Sequence, residues 1–206
     1  MSTQAFSRHL NLLALAHECV QLGARVRTVE ILTGLSTRHL LHLLRAERRT
    51  PPRGRPPNTP EWYHGGTLLD RSEACVFACI FRRLRDLDFE PACALLGAYR
   101  HYRKVCWHAP RVSFDRAFDL ARQLDGIWQA TEACLSLARC PICSSQYLAV
   151  AGGSCCCDRD CPFCKLTARY ALDPRVQSNF PAQSLPDPAC LQGPLALSAR
   201  LQGLVP

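Results

Sequence analysis

Cys140-Pro141-Ile142-Cys143 and Cys161-Pro162-Phe163-Cys164, seventeen residues apart, form the strongest chemical signal in the chain. A Cys-x2-Cys loop turns tightly enough to aim two thiolates at one tetrahedral centre, and a second loop supplies the other two. The separation matches that of four-cysteine zinc sites. Cys140, Cys143, Cys161 and Cys164 are therefore candidate ligands for one Zn2+ per chain. Four protein ligands leave no position for water or substrate, so the expected role is structural. Cys155, Cys156 and Cys157 bring seven sulfurs to four positions. Any of them can replace Cys161, or the three can form a second, redox-sensitive site beside Arg159. The repeated spacing favours Cys161 and Cys164.

A second candidate site is cationic. Arg38, His42, Arg45 and Arg49 recur at spacings of four, three and four. On a helix they fall within about 60° of one another, a single polar stripe. Leu40, Leu43 and Leu44 take the opposite side and hold that helix to a core. Eight arginines and two glutamates lie between Ala24 and Arg55, a net +6 in a chain of formal net charge +8. The stripe suits phosphate contact; a solvated face or a docking surface for an acidic subunit has the same pattern. Arg48, Arg49, Arg53 and Arg55 in the following proline arm can track phosphates or serve as a solvated linker. Arg100, His101, Arg103 and Lys104 form a smaller basic cluster that reads as a solvated face.

Helices must position these groups. Phe6 to Leu22 has a helical period ending near Gly23, and Ala24 to Leu32 forms a short second helix. Thr33-Gly34-Leu35 turns the chain, and Ser36 caps a third helix running to about Arg48. The pair resembles a helix-turn-helix, whose second helix enters the major groove. Five prolines between Thr50 and Pro60 exclude regular helix there, and Trp62 and Tyr63 dock this arm onto the core. Leu68 to Leu87 is helical by period, with Cys75 and Cys79 as core packing. Pro91 opens another helix. Ser113 caps a last long helix, which the spacing of Phe114, Phe118, Leu124, Trp128 and Leu135 predicts to run past residue 130. No strand is expected before residue 145; Gln146 to Val150 is one, turned back by Gly152-Gly153. Cys19, Cys75, Cys79, Cys93, Cys106 and Cys134 are expected mostly on apolar helix faces.

The 206 residues are 48% hydrophobic and 20% charged, enough to bury a core. No stretch approaches the ~20 apolar residues of a membrane-spanning helix. Leu10 to Ala16 is a poor secretory signal, so the fourteen cysteines are expected reduced, in the cytoplasm. Phosphate loops, H-E-x-x-H and G-x-S-x-G elbows are absent, as is the H-x-E partner of a zinc deaminase; no enzyme is expected. The fold class is mainly α. Residues 1–137 are expected to form a helical domain with the helix-turn-helix-like segment, the part expected to bind DNA and a partner. Residues 138–170 form the four-cysteine zinc module, and residues 171–206 a flexible, proline-rich tail.

Gly23-Ala24-Arg25, Leu32-Thr33-Gly34-Leu35-Ser36, Leu40 to Glu47, Pro51-Pro52-Arg53-Gly54, Glu61-Trp62-Tyr63 and Ala98-Tyr99-Arg100 occur in an order that resembles the flagellar transcriptional activator FlhC family. The resemblance runs over roughly residues 20 to 165. It implies a mostly helical DNA-binding subunit that assembles with the smaller protein FlhD into a heterohexamer. It also implies activation of flagellar promoters, on double-stranded DNA and with RNA polymerase, and it places the zinc ligands at Cys140, Cys143, Cys161 and Cys164. The Cys155-Cys156-Cys157 run departs from the family pattern, as does a tail that is not basic. The alternative reading is a thiol- or zinc-based redox-sensing regulator.

Overall fold

Helix α5 (Leu68–Asp86) starts at a reciprocal cap: the Thr67 hydroxyl accepts the Asp70 amide, and the Asp70 carboxylate accepts the Thr67 amide at 3.0 Å. Its apolar stripe is broad, burying Leu69, Ala74, Cys75, Phe77, Ala78 and Phe81, so it can be covered on several sides. Helices α6 (Pro91–Val105) and α7 (Phe114–Asp125) pack on it, as do strand β2 (Gln146–Val150) and helix α8 (Pro162–Tyr170). Edge-to-face rings join these layers: Phe77 with Tyr99 and Tyr102, and Tyr99 with Phe114 at 5.2 Å. Each such pair contributes about 0.5–1.5 kcal/mol beyond its buried area. The computed structural model describes residues 3–46, 50, 52, 54, 61–106, 110–130, 132–151, 161–179 and 181.

Helices α1 (Thr3–Gln21), α2 (Val26–Thr33) and α3 (Thr37–Ala46) pack on one another at the N-terminal end. Gly34, at φ 69°, closes α2 in the left-handed conformation that glycine adopts without steric cost. The start of α2 is capped from a distance. Arg25, its N-cap, makes no side-chain cap of its own. Instead Asp115 of α7 accepts the Arg25 amide at 3.1 Å, the Arg25 guanidinium at 2.8 Å and the Thr28 hydroxyl. Asp115 and Thr28 are both buried. The two-helix segment is thereby fixed to the central domain. At α3 the Ser36 carbonyl accepts the Leu40 amide, while the Ser36 hydroxyl faces His39 Nδ1 at 3.1 Å.

The proline arm ends where the aromatic pair predicts. In α4 (Glu61–His64), Trp62 Nε1 donates to Asp119 at 3.0 Å, and Arg116 lies over the Trp62 ring. Tyr63 is fully buried.

Two expectations fail between residues 126 and 151. Helix α7 stops at Gly126, φ 63°, whose amide bonds the Arg122 carbonyl at 2.9 Å. A Cβ at this position would lie 3.1 Å from the Ala133 nitrogen, so the chain doubles back against the helix end. The helical spacing of Trp128 and Leu135 is coincidental. Trp128 stacks on Phe118, and Leu135 opens strand β1 (Leu135–Arg139). Antiparallel pairing then joins β1 to β2, with Leu135 opposite Val150 and Arg139 opposite Gln146. The β2 strand is where periodicity puts it, but its partner lies upstream and the connection is the first cysteine loop. Gly152 and Gly153 lie outside the described residues.

Among the described residues there are nine helices and one two-stranded sheet, so the chain is mainly α. Residues 174–179, within the segment read as tail, form the short helix α9 (Pro174–Asn179), with Val176 buried. No described helix is long and apolar enough to cross a membrane.

Candidate functional site

The β1–β2 loop carries Cys140 and Cys143, and the start of α8 carries Cys161 and Cys164. Ser144, at φ 60°, bends the loop. Its amide reaches the Cys140 carbonyl at 2.9 Å, and the Cys140 amide reaches the Ser145 carbonyl at 2.9 Å. Cys161 is the N-cap of α8 with Pro162 at the first helical position, where a missing amide costs nothing. One helical turn later comes Cys164. The two proline-bearing cysteine loops thus reach one point by different routes, a tight hairpin turn and a helix entry.

The four sulfurs lie within 4.8 Å of one another. Cys140 Sγ and Cys164 Sγ are 3.7 Å apart, and Cys143 Sγ and Cys161 Sγ are also 3.7 Å apart. A tetrahedron with metal–sulfur bonds of about 2.3 Å has sulfur–sulfur edges of about 3.8 Å. The spacing fits a metal ion held by four thiolates. Cys140 and Cys161 are buried, Cys164 is half-buried and Cys143 faces solvent. The Ser145 hydroxyl and amide draw the Cys143 thiol down to about 6, and its hydrogen bond with Cys143 pushes the Cys164 thiol up to about 12. Burial raises the Cys161 thiol. Four adjacent thiols resist joint ionisation unless a cation sits among them. Such a site can cross-link two elements and has no place for a substrate. Cys155, Cys156, Cys157 and Arg159 lie outside the described residues.

This hairpin is tied to the helices by polar contacts, buried at Leu148 and exposed at Gln146. The Leu148 amide donates to Cys75 Sγ at 3.3 Å, and the Tyr63 hydroxyl donates to the Leu148 carbonyl at 3.1 Å. The Cys79 thiol bonds the Gln146 carbonyl at 3.5 Å. Desolvation pushes the Cys75 thiol up to about 11, which keeps it protonated and unreactive. Cys19 and Cys75 are buried packing residues and Cys79 is half-buried; Cys93 and Cys134, expected on apolar faces, are exposed.

The basic stripe is on the surface. Arg38, His42 and Arg45 are exposed on α3, while Leu40 and Leu44 are buried beneath them. Arg49, Arg48, Arg53 and Arg55 lie outside the described residues. The stripe belongs to the α1–α3 end, and the cysteine cluster to the elements that pack on α5. Periodicity did not reveal Asp115, Tyr63 or Cys75 as the residues that anchor these parts, because their partners lie 73 to 90 residues away.

A family model described as flagellar transcriptional activator (FlhC) matches residues 1–176. The chain belongs to the FlhC family. Among curated flagellar transcriptional regulators FlhC, that of Paraburkholderia phymatum is 32% identical over 143 residues, 65% of this chain and 63% of the relative. That of Variovorax paradoxus is 29% identical over 140 residues, 66% of this chain and 65% of the relative. The Serratia marcescens protein is 28% identical over 139 residues, 65% and 68% of the two chains. The chain therefore spans less than two thirds of the first two relatives. The family is one of flagellar transcriptional regulators, and this member carries the four-cysteine cluster expected from its sequence.

Proposed function

We propose that this FlhC-family chain is the DNA-binding subunit of a cytoplasmic transcriptional activator. It assembles with an FlhD-like subunit into a heterohexamer, binds double-stranded flagellar promoter DNA and brings RNA polymerase to it. One structural Zn2+ per chain, held by Cys140, Cys143, Cys161 and Cys164, locks the β1–β2 hairpin to α8 when bound. The observation that carries the reading is the exposed stripe Arg38, His42 and Arg45 on the second helix of a turn-linked pair. In that geometry the second helix lies in the major groove, and its arginines reach base edges and phosphates. Arg49 continues the stripe by spacing.

Duplex binding titrated against salt tests this. Each arginine that meets a phosphate contributes close to one to the slope of log affinity on log salt concentration. Arg38→Gln, Arg45→Gln and Arg49→Gln should each lower that slope by about one. Slopes unchanged in all three would reassign the stripe to protein contacts.

A further inference from the structure

A second concentration of positive charge lies in residues 100–116. Arg100, Arg103, Lys104, Arg111 and Arg116 stand there against the single acid Asp115, a net +4. Together with the +6 between Ala24 and Arg55, these two segments account for more than the chain's whole +8. They are far apart in sequence, and among the described residues they meet where Asp115 binds the start of α2. Asp115 binds the Arg25 guanidinium and amide at the start of α2. Arg100 pairs with Glu18, near the end of α1, at 3.1 Å. The Tyr99 ring packs edge-on against Phe114, and its hydroxyl lies within electrostatic reach of both Arg103 and Asp115. The last two turns of α6 thus sit beside the entry of the α2–α3 pair.

On α6, Arg100, Arg103 and Lys104 fall at positions i, i+3 and i+4, one face of the helix. All three are exposed, while Tyr99 and Tyr102 on the other side are buried. Among the described residues Arg103 and Lys104 form no ion pair or side-chain hydrogen bond. Residues 97–106 contain no acid at all. Basic side chains in a last turn also complement the helix dipole, which would explain one cation there and would leave DNA affinity untouched.

We infer that Arg103 and Lys104 form a second phosphate-binding surface for duplex DNA, adjoining the α2–α3 pair and lengthening its track along one backbone. This rests on the DNA-binding reading above and extends it from the groove to the flanking phosphates. In a helix-turn-helix the first helix crosses the backbone, so cations beside the start of α2 meet phosphates rather than bases. Contacts of this kind position the protein and carry no sequence information.

The test uses the full chain and labelled duplex DNA of arbitrary sequence, with affinity measured across a salt series. The double variant Arg103→Gln with Lys104→Gln should lower the log–log slope by about two. Arg83→Gln, an exposed arginine near the opposite end of the α5–α6 pair, should leave it unchanged. Circular dichroism and thermal midpoints establish that each variant is folded; a double variant that fails to fold is replaced by the two single ones, each expected to lower the slope by about one. A folded double variant with the wild-type slope overturns the inference, and a lowered thermal midpoint beside that slope assigns the pair to the helix dipole. An equal fall for Arg83→Gln overturns it too, because net charge would then suffice. A wild-type chain without salt-dependent duplex affinity would overturn the DNA-binding reading itself, an outcome distinct from a steep slope that the double variant leaves unchanged.

Discussion

Asp115 joins two segments 90 residues apart, and its carboxylate is almost wholly buried. Three donors converge on it, two from Arg25 and one from Thr28, so its charge is compensated as a buried carboxylate requires. The Arg25 side chain is partly exposed at 23%, which screens the ion pair and leaves the amide and hydroxyl contacts as the larger share. Asp115→Ala strands the buried Thr28 hydroxyl and uncaps α2, and should cost about 2–4 kcal/mol in urea-induced unfolding. Asp115→Asn keeps one carbonyl acceptor and should cost less. Equal stability of wild type and Asp115→Ala would show that the α1–α3 end does not depend on this carboxylate. The four cysteines differ from Asp115 in being legible from sequence. Each pair is local, two residues between thiols, so spacing alone encodes the loop geometry; the partners of Asp115 are set by tertiary packing.

At the scale of elements, the end of α7 decides how the cysteine loops are built. Gly126 holds φ 63°, and a Cβ there would crowd the Ala133 nitrogen at 3.1 Å, so helix end and returning chain lie close together. Gly126→Ala should lower stability by about 1 kcal/mol or more, read as a fall in thermal midpoint. A midpoint equal to wild type would mean that the turn relaxes without strain. Helices α1, α2, α3, α5 and α6 are legible because caps, prolines and apolar periods agree locally, as at Thr67 with Asp70 or at Pro91; the single turn α4 has too few residues to show a period. Nor is the stretch from Gly126 to Arg139 legible. Trp128 and Leu135 keep a helical spacing, while a glycine turn and strand pairing with β2 override it. A five-residue strand carries too short a pattern to compete with a longer apparent helix period.

For the whole molecule, the proposed function depends on how three parts are held together. The cysteine cluster brings the β1–β2 hairpin and the start of α8 to one point, where a bound metal ion would cross-link them. Through Leu148 that hairpin bonds Tyr63 and Cys75, and so reaches the central helix α5. Asp115 in turn fastens the α2–α3 pair, with its exposed arginines, to the same helical body. The described starts of the two basic segments meet at the Arg25–Asp115 pair. A cationic reader needs a rigid body behind it, because ordering the elements before binding removes that cost from the affinity. A closed metal centre at the four cysteines would supply rigidity that a small hairpin lacks on its own. X-ray absorption at the zinc edge of the purified full chain tests this most directly. One zinc per chain is expected, with four sulfur neighbours at about 2.3 Å and no lighter ligand. A shell containing nitrogen or oxygen, or a metal-free chain that is natively folded and binds duplex DNA, would contradict it.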